Sequence, residues 1–310
     1  MAAAARVDPK DYFTPEEWAP LIARSAWKGL ALVAHAWIVI VLATALGVIW
    51  PWLIPLSVMI IGARQLGLAI LMHEAAHGGL SPKQRINDVV GDWFCAVPIG
   101  ARLPSYRPYH LQHHKFAQQA EDPDLVLSAP FPVTRASLGR KIVRDLTGQT
   151  FVKQRIGVFF AGRKGADEDL PEGAVVTAQS ALPFLLVNAA AIAALSAFGL
   201  WWVWFVFWLL PLATWFPLVT RLRNIAEHAM TPDPADPLRH ARTTEANLIE
   251  RALIAPYWVN YHCEHHMFMW LPCWSLPKAH KMLRERGVTE RMEVRRGYLG
   301  VLATASSKPA

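Results

Sequence analysis

The chain has 310 residues, 53% of them hydrophobic and 18% charged, with 14 Trp and 13 Phe; two stretches are too long and too apolar for a soluble core, which excludes a pair of ordinary soluble domains. Its formal charge of +7 is spread over loops, with no basic face of the kind that reads nucleic acid, and points to membrane topology and anionic lipid head groups. Cys95, Cys263 and Cys273 form no C-x-x-C pair and suggest a reducing compartment without a disulfide framework.

Residues 1–26 carry charges throughout and lack an apolar h-region, so no cleaved signal peptide is expected. Thr14-Pro15-Glu16-Glu17 reads as a helix start, with Thr14 as cap, Pro15 in the first turn and Glu17 closing a capping box. Trp18 and Trp27 suit a membrane interface. Residues 28–49 form a first span, Trp50-Pro51-Trp52 an uncharged turn, and 52–72 a returning span that continues as helix into a histidine motif. His35 and Arg64-Gln65 fall at bilayer depth, where an ionisable group is costly and by default functional. The alternative for Arg64 is snorkelling or a bond to a helix end; His35 is read as packing.

Residues 84–100 contain Asp88, Asp92 and Pro98, too broken for a span, and read as interfacial. The polar insert 116–178 holds Leu138, Ile142 and Leu146 at i+4 among Arg140, Lys141 and Arg144, a basic amphipathic helix of the membrane-surface kind. Gly162–Gly173 reads as a mobile linker. Residues 180–198 and 199–220 make a second hairpin turning near Phe198-Gly199, crowded by Trp201, Trp202, Trp204, Trp208 and Trp215. These are read as interface anchors and core.

The expected fold is thus an all-α integral membrane protein with four transmembrane helices in two hairpins, forming a single domain over 1–310. The first hairpin covers 27–72 and the second 180–220; the histidine-bearing segments 73–178 and 221–310 make a cap. Apart from Arg64, every Lys and Arg lies in 1–28, 81–178 or 221–310, and the two inter-span turns carry none. The positive-inside bias puts both termini and the cap in the cytoplasm.

Three histidine clusters stand out. His73-Glu74-Ala75-Ala76-His77 places two imidazoles at i and i+4. His110-Leu111-Gln112-His113-His114 and His262-Cys263-Glu264-His265-His266 each place three at i, i+3 and i+4. On a helix these spacings share a face, so three imidazoles are expected to converge on one point. Eight of the twelve histidines lie in these clusters, too many for a single ion, and neutral imidazole is the commonest metal ligand.

The pattern resembles the membrane fatty acid desaturase–hydroxylase superfamily, with its three histidine boxes. Asp122-Pro123-Asp124 after the second box, Asn260-Tyr261 before the third and Leu276-Pro277-Lys278-Ala279-His280 after it fit as well. The resemblance runs from about residue 60 to 285. It implies a cytoplasmic di-iron cap and adds His228 as a ninth histidine ligand, with Asn224 one turn earlier contacting one iron through water. The implied metal set is His73, His77, His110, His113, His114, Asn224, His228, His262, His265 and His266; the nine histidines are also the implied catalytic set, for two iron ions. Glu74, Asp122, Asp124, Glu227 and Glu264 are expected to hold histidine tautomers. The implied activity is O2-dependent desaturation of a membrane lipid's acyl chain with two external electrons. With no His-Pro-Gly-Gly motif of a fused cytochrome b5, a separate ferredoxin, rubredoxin or cytochrome b5-type donor is expected.

Imidazole suits iron, whereas soluble carboxylate di-iron bundles need two Glu-x-x-His motifs, and only Glu74-x-x-His77 has that spacing. Alternatives stay open. Hydroxylases and ketolases of acyl, alkane or carotenoid chains share the boxes. His73-Glu74-Ala75-Ala76-His77 also satisfies H-E-x-x-H, the motif of a zinc metalloprotease with Glu74 as base, but leaves the other two boxes unexplained. A metal carrier would place its ligands along a path inside the spans.

Overall fold

The first hairpin is built from two helices, Lys28–Ile49 and Ile54–Ala76, joined by a 3₁₀ turn at Pro51–Leu53. In this computed structural model residues 6–160 and 178–309 are described; Gly162–Gly173, read above as a linker, lies outside them. Proline starts both the turn and the second helix, where a missing N–H costs nothing. Among the described residues, three helices are long and apolar enough to cross a bilayer: Lys28–Ile49, Pro51–Ala76 and Trp201–His228. The fourth expected span, the helix Ala178–Ser196, contributes a shorter apolar stretch, Ala181–Ser196. It turns at Gly199, whose φ of +71° is a left-handed conformation that glycine adopts freely.

The last run, Trp201–His228, is not one regular helix. A π-turn at Phe205–Leu209 precedes Pro211, and Thr214 leaves helical geometry before Trp215–His228 resumes. Proline cannot donate to the preceding turn, and a π-bulge accommodates it. Polar groups inside the bundle must find partners there. The Gln65 amide donates to the Trp208 carbonyl at 2.9 Å, and the Trp204 indole donates to the Asn188 side chain at 3.1 Å. Trp208 stacks on Trp37, so this tryptophan packs between spans.

His35, Arg64 and Tyr257 form one junction, in which Arg64 and Tyr257 are buried and His35 is exposed on the helix surface. Arg64 donates to the Ala252 carbonyl at 2.6 Å, at the end of the helix Leu248–Leu253. Its guanidinium lies 5.4 Å from the Tyr257 ring centre, and the Tyr257 hydroxyl meets His35 Nδ1 at 3.1 Å. Arg64 therefore bonds to a helix end, the structural alternative of the two weighed from sequence. Tyr257 has φ +54° and Trp258 φ +59°, an unusual conformation for bulky residues. The junction holds that strained turn against the second span, two residues before Asn260.

The cap is not purely helical. Strand β1, Thr243–Glu245, pairs in parallel with β2, Val294–Arg296, a small addition to the mostly helical architecture that the all-α expectation did not include; such pairing between residues 51 apart leaves no periodic signal in three-residue strands. The Thr14–Glu17 capping box forms as read. Trp18 packs edge-on against Phe268 in the cap, beside Phe13. Trp27 is exposed at the start of the first span. The amphipathic helix is present as Arg135–Leu146: Leu138 is buried, Val143 and Leu146 are exposed, and Asp145 binds Arg221.

A Cβ on Gly67 would lie 2.6 Å from the Tyr257 ring. Gly67→Val should lower the melting temperature in detergent by roughly 2–8 °C, since overpacking costs about 1–3 kcal/mol. A Cβ on Gly139 meets nothing, and Gly139→Ala should leave it unchanged or slightly higher. Scanning calorimetry of the purified variants checks both.

Candidate metal centre

Four helices bring the histidines together at one end of the apolar hairpins. His73 and His77 come from the end of Ile54–Ala76, and His110, His113 and His114 from Leu103–Phe116. His228 closes Trp215–His228, and His262, His265 and His266 come from His262–Met267. The start of Leu103–Phe116 is set by Asp92, which accepts from the Leu103 N–H at 2.9 Å and pairs with Arg102. The end of the His228 helix is set by buried Arg242, whose guanidinium donates to the carbonyls of Ala226 and Ala229 and pairs with Glu293. A cation there complements the helix C-terminus.

All nine histidines of the sequence reading meet, in two groups. His73, His77, His110, His114 and His265 form one; His113, His228, His262 and His266 form the other; within each, the ligand atoms lie within 4.8 Å of one another. The expectation that each three-histidine motif converges on one point is corrected. In both, the i and i+4 residues join one group and the i+3 residue crosses to the other. On a helix of 3.6 residues per turn the last two residues diverge by about 100° while the outer two stay within about 40°. The groups abut, with the His114 and His266 rings 4.4 Å apart.

The imidazoles meet through their Nε2 atoms: His73 with His265 at 2.8 Å, His77 with His110 at 2.8 Å, and His114 with His110 and His265 at 3.0 Å. In the second group His228 meets His262 at 2.8 Å, and His266 meets His262 at 3.1 Å and His113 at 3.3 Å. Several tautomers follow from the far ring nitrogen. His113 Nδ1 lies 2.7 Å from Asp122 and His228 Nδ1 lies 3.2 Å from the His240 carbonyl. Both partners only accept, so Nδ1 carries the proton and the Nε2 lone pair faces inward. Lone pairs facing one another in a buried space repel unless a cation lies between them. Metal–nitrogen bonds of about 2.1 Å separate neighbouring ligand nitrogens by about 3.0–3.4 Å, close to the spacings here. The donor set therefore fits two metal ions, and imidazole alone suits iron among others.

Electrostatics agree. Burial pushes His110, His114, His262, His265 and His266 well below the ordinary imidazole range, and His77 down to about 3, so these rings stay neutral. His113 moves up: burial lowers it, but the hydrogen bond and charge of Asp122, with Asp124 and Glu227, outweigh that.

The five acids divide. Asp122 bonds His113; Asp124 is 3.7 Å from the same nitrogen; Glu227, paired with Arg223, is 3.5 Å from His262 Nδ1. Glu74 and Glu264 do not hold box histidines, which corrects the expectation for them. Glu74 accepts from the Cys273 N–H at 3.2 Å. Glu264 bonds Thr243 and His280, on the helix face away from the groups. Asn224 lines a cavity of about 390 Å³ with Leu127, Phe131 and Arg221, one helical turn before His228. Sequence reasoning missed Arg242, Tyr106, whose ring stacks on His110, and His240. Arg242 caps carbonyls 12–17 residues away, and no local motif announces that.

The chain matches the fatty acid desaturase family model over residues 50–297. It is 29% identical to the dihydrorhizobitoxine desaturase of Bradyrhizobium elkanii, over 82% of this chain and 74% of that protein. It is 27% identical to a beta-carotene ketolase of Paracoccus sp., over 84% and 87%, and 24% identical to the sn-1 oleoyl-lipid 12-desaturase of Anabaena variabilis, over 76% and 70%.

Asp122→Asn should weaken metal retention by roughly 10–100-fold, the usual cost of losing a carboxylate behind a ligand histidine, measured by metal analysis after graded chelation. Acid should destabilise the metal-free protein. His77, lowered to about 3 when folded, contributes stability that is full above the unfolded value near 6.5 and is lost as pH falls from there toward 3. Denaturation of metal-free protein at pH 7.5 and 5.5 checks the sign.

Proposed function

The chain belongs to the fatty acid desaturase family, and we propose that it is a multi-pass membrane di-iron oxidase that uses O2 and two external electrons to desaturate a lipid acyl chain. The observation that carries the reading is the convergence of nine histidines, eight of them buried and His266 half-buried, in two adjoining groups, at the end of helices long and apolar enough to cross a bilayer. Two iron ions held there supply the means of removing hydrogen from an unactivated C–H bond with O2 and electrons.

The chain's own residues orient and enclose. His73, His77, His110, His114 and His265 would hold one ion, and His113, His228, His262 and His266 the other, with Asn224 contributing through water. Asp122 and the His240 carbonyl hold the Nδ1 protons of neutral His113 and His228 and so turn the Nε2 atoms inward. Burial of the histidines limits water at the reacting carbon, which protects a reactive step from side reactions. The Arg242 cap holds His228 in register with His262, and the His35–Arg64–Tyr257 junction fixes the turn ahead of the third box. Electrons come from a separate ferredoxin, rubredoxin or cytochrome b5-type donor. The distribution of Lys and Arg puts both termini and the histidine cap in the cytoplasm, and the packing of Phe13 and Trp18 on Phe268 supports an N-terminal segment on the same side as the cap.

A hydroxylase or ketolase is the second reading, favoured by the coverage of the beta-carotene ketolase. The metalloprotease reading is disfavoured by Glu74, whose carboxylate bonds the Cys273 N–H and lies against Gly79.

The purified protein should carry close to two irons per chain; one zinc and no iron would remove the di-iron reading. Extracted lipids of a host expressing the gene should gain an O2-dependent unsaturated product by mass spectrometry. Glu74→Gln should keep that product, since the amide still accepts the Cys273 hydrogen bond, whereas His77→Ala should keep none; a protease base would lose about 10²–10⁴-fold as Gln. Reporters fused at each terminus should both read cytoplasm, and opposite signals would break the four-span topology.

A further inference from the structure

His240 lies outside every motif, yet it is built into the metal centre. It is 3% exposed, and both of its ring nitrogens are buried without a hydrogen-bond partner. Its ring stands 5.3 Å from that of His266 at 75°, close to the 4.8 Å and 80° between His228 and His266 inside the group. Its backbone carbonyl already receives His228 Nδ1 at 3.2 Å, so the residue is fixed to two members of the four-histidine group. The ring does not belong to that group, whose ligand atoms all lie within 4.8 Å of one another. An imidazole buried with two unpartnered nitrogens is costly unless a small polar species reaches it. Among the described residues the other group has five histidines and this one four, which leaves coordination here for a ligand that is not one of these side chains.

We propose that His240 is a positioning residue that holds, by hydrogen bond, the small non-protein ligand of the ion carried by His113, His228, His262 and His266. That ligand is water, hydroxide or a small anion in its place. The inference rests on the di-iron reading and adds a tenth imidazole to it, acting through the bound ligand and not on the metal directly.

The test uses whole protein loaded with ⁵⁷Fe, compared as parent, His240→Phe and His240→Gln. Phe fills the space without a nitrogen; Gln restores a hydrogen-bonding group. All three should hold two irons. His240→Phe should shift one of the two Mössbauer quadrupole doublets and weaken azide binding roughly five- to tenfold, the loss of one hydrogen bond. His240→Gln should recover most of both. If Phe does not fold, His240→Ala is read the same way. A parent-like spectrum and azide affinity in the Phe or Ala variant would overturn the proposal, as would a Gln variant no better than Phe, which marks a packing role. Loss of one iron from both variants would make His240 a direct ligand and overturn it too. A parent without two irons removes the di-iron reading itself, a result distinct from all of these.

Discussion

Everything in the cap answers to one constraint: nine imidazoles, eight buried and His266 half-buried, converge with neighbouring Nε2 atoms 2.8–3.3 Å apart. Where the outer nitrogen donates to Asp122 or to the His240 carbonyl, the inner nitrogen of that ring is left as an acceptor. A cation between the rings would satisfy several such nitrogens at once. Metal binding would then stabilise the folded cap, because deprotonated ligand nitrogens held together in the fold are the ones a metal ion binds.

The polar framework around the histidines serves that constraint from outside. Asp92 starts the second-box helix, Arg242 finishes the His228 helix, and Glu264 ties the third-box helix to Thr243 and His280. Each is buried and each is bonded, as a charged group in a low-dielectric interior must be. The membrane half follows the same rule with fewer polar groups. Gln65, Asn188 and Arg64 each meet a carbonyl or an indole N–H within the bundle. Arg64 and Tyr257 also couple the two halves, so a side chain at bilayer depth helps position a loop of the cap.

The interleaving of the two groups has a mechanical consequence. Because His113 and His265 cross to the group opposite their motif partners, neither metal site can form from one helix. The second- and third-box helices each contribute to both groups, so displacing either disturbs both. This argues for a centre that assembles cooperatively.

By itself the sequence determined the apolar hairpin, the capping box at Thr14, the turns at Trp50–Trp52 and Gly199, and the identity of the histidines, because each rests on local spacing or a local run. The i, i+3, i+4 pattern announced a shared helix face but not which residue serves which ion; that depends on how two helices are rotated against each other, which only packing decides. Asp122 was readable as a partner of a nearby histidine nine residues away. Glu74 and Glu264 were not, because whether their carboxylates turn to a histidine or to Cys273, Thr243 and His280 depends on which elements pack beside them and not on spacing along the helix. Arg242, Tyr257, the β1–β2 pair and His240 act across 12 to more than 200 residues, and no periodicity in the chain encodes a contact of that range. Only the tertiary structure, by satisfying buried donors and acceptors one against another, assigned them their places.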